Sequence, residues 1–217
     1  MIKVRLSIND INEYQAGILP DNAVKIGTPQ SMSQMMIKAA PIAGFLCVIL
    51  FATMMCKSII SETIVISPIF IVVGFLSGFI LLIVHEWLHG IVYPKNADVT
   101  IGKLKGKITF VALASYPLKR TRFIMMCLLP FVLGIVPLMI FIFSPAEYRV
   151  LNGIMFGMAC MGMISPFPDV FNVIIVLRNT SKNDAIMFYK DDMYKISQIP
   201  IYHPDKNLTS HIKQGTH

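Results

Sequence analysis

Four long apolar segments constrain the fold of this chain more than any other feature of its sequence. They cover about Ile37–Cys56, Ile64–Gly90, Phe123–Phe143 and Val150–Leu177, and a bilayer-spanning helix needs about 20 mainly apolar residues. The chain is 55% hydrophobic and only 14% charged, whereas soluble domains carry about 25% charged residues. We therefore expect an all-α integral membrane protein in which four spanning helices form a bundle.

The distribution of lysine and arginine predicts the orientation of these helices. The residues through Lys38 contain four of them, the connection 91–122 contains seven and the tail from Arg178 contains six, whereas the other two connections contain one each. Positive charge stays on the cytoplasmic side of a membrane, so both termini and the long connection should face the cytoplasm. The net charge of +7 fits this topology. No aromatic and basic residues interleave as a nucleic-acid surface needs, so we expect membrane lipid as a partner and no nucleic acid.

Two stretches of the 91–122 connection have the composition of β-strands. Val99–Ile101 and Ile108–Val111 are rich in β-branched residues, and Gly102 and Gly106 offer turns between them. The sequence predicts a short cytoplasmic hairpin between the second and third helices. An exposed edge strand there could hold an extended peptide by backbone pairing, or the connection could simply anchor the helices to anionic lipid. The sequence leaves both interpretations open.

The second apolar segment ends in the pattern His85-Glu86-Trp87-Leu88-His89. Residues four apart lie on one face of a helix, so both imidazoles can point at one metal ion. The HExxH pattern on a helix is typical of zinc peptidases, in which the glutamate next to the first ligand acts as a general base. We expect His85 and His89 to bind zinc and Glu86 to be catalytic.

A third protein ligand is needed to hold a catalytic zinc while leaving one position open. Within the four apolar segments the acidic residues are only Glu86 and Asp169, and the histidines are only His85 and His89. The predicted topology places Asp169 at a depth similar to that of the histidines, so we expect it to be the third ligand. The alternatives are an unliganded histidine pair, and an Asp169 that caps or packs a helix at the nearby prolines. An accidental HExxH in lipid would cost several kcal/mol.

This combination resembles the bacterial membrane family labelled "putative zincin peptidase". The resemblance rests on HExxH at the end of a span, the basic β-like connection, the Leu129-Pro130 pair in the next span and an aspartate in the last. The chain is more distantly similar to the site-2 intramembrane metalloproteases, although Val170 follows Asp169 where those proteins usually have glycine. The resemblance implies that His85, His89 and Asp169 bind zinc and that Glu86 is the base.

The sequence thus predicts a cytoplasmic N-terminal segment (1–36), a four-span metallopeptidase-like domain (37–177) and a cytoplasmic tail (178–217). The expected protein is a zinc-dependent endopeptidase of the bacterial cytoplasmic membrane, which hydrolyses a peptide or a membrane-protein substrate. One alternative is a regulatory binder that retains a metal site without catalysis, and another is a metal transporter. A binder has no need of Glu86, and transporters often show internal repeats, of which this sequence has none.

Overall fold

The computed structural model describes residues 2–27, 32–106, 110–190 and 192–197. The described chain combines apolar helices with two β-sheets, so the expectation of an all-α bundle with one small hairpin was wrong. Strands come from the N-terminal segment and from the tail as well as from the central connection. Short strands that pair across long stretches of sequence have weak local patterns, because their stability comes from partners distant in the chain.

Four helical units are long and apolar enough to cross a membrane, in agreement with the four predicted spans. The first two are single helices, and a proline-containing break divides each of the other two. The helices are α1 (Met32–Ile60), α2 (Pro68–Val92), α3 (Arg120–Leu128), α4 (Val132–Phe143), α5 (Arg149–Ile164) and α6 (Phe167–Asn179). A 3₁₀ turn at Leu129–Phe131 joins α3 to α4, and Ser165 and Pro166 separate α5 from α6.

Seven strands form two sheets in the described ranges. They are β1 (Ile2–Ile8), β2 (Ala23–Ile26), β3 (Val99–Leu104), β4 (Phe110–Leu113), β5 (Leu118–Lys119), β6 (Ala185–Tyr189) and β7 (Asp192–Ile196). The first sheet has the order β1-β3-β4, with β1 parallel to β3 and β4 antiparallel to it. The second sheet has the order β2-β7-β6-β5 and is antiparallel throughout.

The predicted hairpin corresponds to β3 and β4, although its turn differs from the expectation. Gly102 lies within β3, opposite Val111, rather than in a turn. Gly106 has a φ of 75°, which is left-handed backbone that glycine adopts without steric cost. Ile108 and Thr109, which were also expected in the second strand, lie outside the described residues.

The sheets bring the N-terminal segment, the central connection and the tail to the same side of the helices. β1 pairs with β3 of the connection, β2 pairs with β7 of the tail, and β5 pairs with β6. Lys25 of β2 and Asp192 of β7 also form an ion pair of 2.6 Å, and this hydrogen bond raises the pKa of the Lys25 ammonium above its ordinary value. The described parts of all three basic regions thus share one side, as the alternating charge counts require, and the assignment of that side to the cytoplasm stays a prediction.

Glycine residues allow α5 to pack closely against both α2 and α4. A Cβ atom on Gly74 of α2 would overlap the backbone of Ile154, and one on Gly157 of α5 would overlap the carbonyl oxygen of Ile71. Gly134 of α4 and Gly162 of α5 meet in the same way. Small residues at such positions let membrane helices approach until their backbones touch. Helix α5 therefore lies at the centre of the membrane unit, and α6 continues from its end.

We expect Gly157→Ala to destabilise the protein, since the added methyl group meets backbone atoms of α2 that cannot rotate away. Overpacking of this kind costs about 1–3 kcal/mol. The measurement is the midpoint of thermal unfolding in detergent, which should fall. Gly44→Ala in α1 is the matched control, because a Cβ there has nothing within 4 Å. Equal midpoints for the two variants would contradict the close packing of α2 against α5.

Candidate metal centre

His85 and His89 lie on one face of the last two turns of α2, and both are buried. Their spacing of four residues brings the two imidazoles together, with 3.0 Å between the Nε2 atoms. The end of this helix is held by Arg122 of α3, whose Nε–H donates a 2.6 Å hydrogen bond to the carbonyl of Val92. The histidine pair therefore lies within the last two turns of α2, near the side of the molecule that carries the sheets.

Asp169 reaches the same point from the first turn of α6. Its backbone N–H donates to the Pro166 carbonyl at 3.0 Å, and Pro168 occupies the first turn, where a missing N–H costs nothing. The regular helix is thus interrupted between α5 and α6 just before the aspartate. The Asp169 Oδ2 atom lies 3.3 Å from His85 Nε2 and 3.6 Å from His89 Nε2.

These three side chains fit a zinc ion. Ligand atoms about 2.0–2.1 Å from a tetrahedral zinc are about 3.3 Å apart, and the three separations here are 3.0, 3.3 and 3.6 Å. Within the described ranges, His85, His89 and Asp169 are the one group of three or more histidine, cysteine or acidic residues placed to share an ion. Two neutral imidazoles and a carboxylate are donors that zinc prefers, and three protein ligands leave a fourth position open.

Glu86 lies beside this group rather than within it. Its Oε1 atom is 3.9 Å from His85 Nε2, and the carboxylate lies near the backbone N–H of Ala112 in β4, the strand that packs against α2. The side chain retains 14% of its exposure, so it is not sealed from the space around the ligands. A carboxylate near a metal site but outside the ligand set can accept and release protons.

Two backbone groups at the site were missed by the sequence reasoning. One is the Ala112 N–H beside Glu86, and the other is the Met126 carbonyl, which lies 3.0 Å from His89 Nδ1. Backbone groups carry no residue-type signal, so composition and spacing cannot find them directly. The Leu129-Pro130 pair was noticed in the sequence, but its relation to Met126 becomes clear only when His89 is seen next to that carbonyl.

A family comparison agrees with this geometry. Residues 78–185 match the model of a family described as "Putative zincin peptidase". These residues, about half of the chain, belong to this family. The matched segment contains His85, Glu86, His89 and Asp169, together with β3 and β4. No curated protein and no solved structure matches the chain. Zinc is the metal that membership of a zincin family implies, and the geometry of the three side chains is suited to it.

For this zincin, Asp169→Asn should lower the affinity for zinc by more than about 100-fold. The amide removes the negative charge, and changes in residues that merely support metal ligands already cost 10- to 100-fold. The wild-type protein, purified in detergent and loaded with zinc, should hold about one ion per chain by mass spectrometry. Competition with a chelator then gives the affinity of each variant.

Asp98→Asn is the matched control, because Asp98 pairs with Lys3 at 3.1 Å on the sheet, away from the histidines. It should bind zinc as the wild type does. If Asp169→Asn also retained wild-type affinity, Asp169 would not be a ligand.

Proposed function

We propose that this protein is a zinc-dependent endopeptidase that hydrolyses peptide bonds in or near the membrane. The observation that carries the proposal is the meeting of His85 Nε2, His89 Nε2 and Asp169 Oδ2 within 3.0–3.6 Å of one another, with the Glu86 carboxylate beside them and outside the ligand set. Membership of a zincin peptidase family supports the reaction type. The four apolar helical units support the location.

Each residue of the candidate site has one role in the proposed hydrolysis. A zinc ion, when bound, polarises the peptide carbonyl and makes water a stronger nucleophile near neutral pH. The two histidines and Asp169 hold the metal, and they leave one side of it open. Glu86 accepts the proton from the attacking water at its carboxylate and passes it to the leaving amine nitrogen.

The free edge of β4 is suited to holding an extended peptide. Among the described residues β4 pairs with β3 alone, so its other edge has no strand partner there. Since Ala112 of β4 lies near Glu86, a peptide that pairs along this edge would pass beside the carboxylate. Backbone pairing of this kind recognises an extended chain and depends little on its side chains. We therefore propose an unfolded or partly unwound segment of a peptide or membrane protein as the substrate.

The arrangement also bears on the membrane location. The histidine pair lies near the sheet-side end of α2, and the charge counts favour the cytoplasm for that side. We propose a multi-pass protein of the bacterial cytoplasmic membrane with both termini in the cytoplasm and the site near the inner surface, similar in plan to site-2 proteases. Trp87 is 44% exposed, as expected of an aromatic side chain that anchors a helix at the membrane interface.

The alternative functions have less support. A regulatory binder needs the metal ligands but not a free carboxylate next to them. A transporter needs polar groups distributed along a path through the membrane, whereas the candidate ligand cluster found in the described part of the chain lies at one depth.

Glu86→Gln should abolish cleavage while leaving zinc binding intact, since the amide keeps the shape of the side chain but cannot accept the proton. General-base catalysis contributes about 10²- to 10⁴-fold to rate, so we expect a loss of that size. The measurement compares new protein N-termini, detected by chemical labelling and mass spectrometry, in membrane vesicles that contain wild-type or variant protein.

Glu147→Gln is the matched control, because Glu147 is exposed in the turn between α4 and α5. It should yield the wild-type set of new termini. A zinc-loaded Glu86→Gln protein that produced the same set at the same rate would show that the protein does not use Glu86 as a base.

A further inference from the structure

One carbonyl group of α3 points at the metal centre from outside the ligand set. The Met126 oxygen lies 3.0 Å from Nδ1 of His89, and both residues are buried. The other ring nitrogen of His89, Nε2, is the one that meets His85 and Asp169. A carbonyl oxygen only accepts hydrogen bonds, so Nδ1 must carry the proton and donate it. The unprotonated Nε2 is then the atom available to a metal.

The Met126 carbonyl is available because the helix cannot use it. In an α-helix the carbonyl of residue 126 accepts the N–H of residue 130, and residue 130 is a proline, which has no N–H. The regular helical hydrogen bonding continues up to the residue before this proline, since the Leu129 N–H donates to the Met125 carbonyl. At Pro130 the α-helix gives way to the 3₁₀ turn Leu129–Phe131. A buried carbonyl without a partner is costly, and the imidazole N–H of His89 supplies that partner.

We propose that Pro130 is a positioning residue of the metal centre: by withholding a backbone N–H, it reserves the Met126 carbonyl for His89 and thereby holds that imidazole with Nε2 toward the metal. This inference rests on the proposed zinc site and assigns a role to a residue that touches neither metal nor substrate. Partners of the second ring nitrogen orient metal-binding histidines and raise their affinity for metal. The proline therefore acts through the helix backbone.

Pro130→Ala tests this role directly. Alanine adds an N–H that can take the Met126 carbonyl back into the helix, so His89 loses its acceptor. Losing such a partner costs about 10- to 100-fold in metal affinity, and we expect a decrease of that size by chelator competition. Cobalt(II) bound in place of zinc should also show an altered visible spectrum, since the imidazole is no longer held in one orientation. The thermal unfolding midpoint of the metal-free variant should change little, because the restored helical hydrogen bond offsets the acceptor that His89 loses.

Pro137→Ala is the matched control. Pro137 is a second buried proline in the same spanning unit, inside α4, and it withholds an N–H from the carbonyl of Leu133, which lies outside the metal centre. Its zinc affinity and its cobalt spectrum should match those of the wild type. If adding a backbone N–H anywhere in this span lowered the zinc affinity, both variants would bind zinc more weakly than the wild type. That result would overturn the inference.

A second measurement uses the wild-type protein and does not depend on the folding of any variant. Nitrogen-15 NMR of labelled histidine in the zinc-loaded protein should show His89 protonated at Nδ1 and not at Nε2. The opposite tautomer, or a Pro130→Ala protein with wild-type affinity, would overturn the role of Pro130 while leaving the zinc site in place. A wild-type protein that binds no zinc would overturn the proposed function itself, so the two failures are distinguishable.

Discussion

The close packing of α2 against α5 is the interaction on which the site depends. The two histidines belong to α2, whereas Asp169 follows the end of α5 by only a few residues, so the separation and register of these helices set the distance between the ligands. Glycines at positions 74 and 157 let the backbones touch, and contact between backbones leaves little freedom for one helix to slide along the other. The candidate metal ligands are therefore positioned by helix packing as much as by their own side chains.

The ionisable side chains at the candidate metal centre are tolerated in an apolar unit because they lie next to polar partners. The imidazoles and Asp169 meet one another, His89 also has the Met126 carbonyl, and Glu86 lies beside His85. At the other end of the helices, Lys57 of α1 donates to the Ser144 carbonyl at 2.8 Å and to Asn152 at 3.1 Å. An unpartnered charge in a hydrocarbon layer costs several kcal/mol, so these pairings are a condition for the fold.

The proline breaks in the third and fourth spans have related consequences. Pro166 ends α5 and lets α6 start with Asp169 directed toward α2. Pro130 ends α3 and leaves a carbonyl free to face His89. In both cases the missing N–H of proline changes the backbone hydrogen bonding at the depth of the metal ligands. Breaks of this kind are tolerated in membrane helices when neighbouring groups satisfy the freed backbone, and at Pro130 the neighbouring group is His89 of the candidate site.

The sequence by itself determined the four apolar helical units, because hydrophobic length is a local property. It identified His85 and His89 as neighbours, because a spacing of four residues is local to one helix. It also singled out Asp169, since acidic residues are rare in such segments. Only the tertiary structure decided that Asp169 reaches the histidines, that β4 lies beside Glu86 and that the termini add strands to two sheets. These features depend on contacts between distant parts of the chain, such as Ile2 with Val99, and neither periodicity nor composition encodes which distant segments will pair.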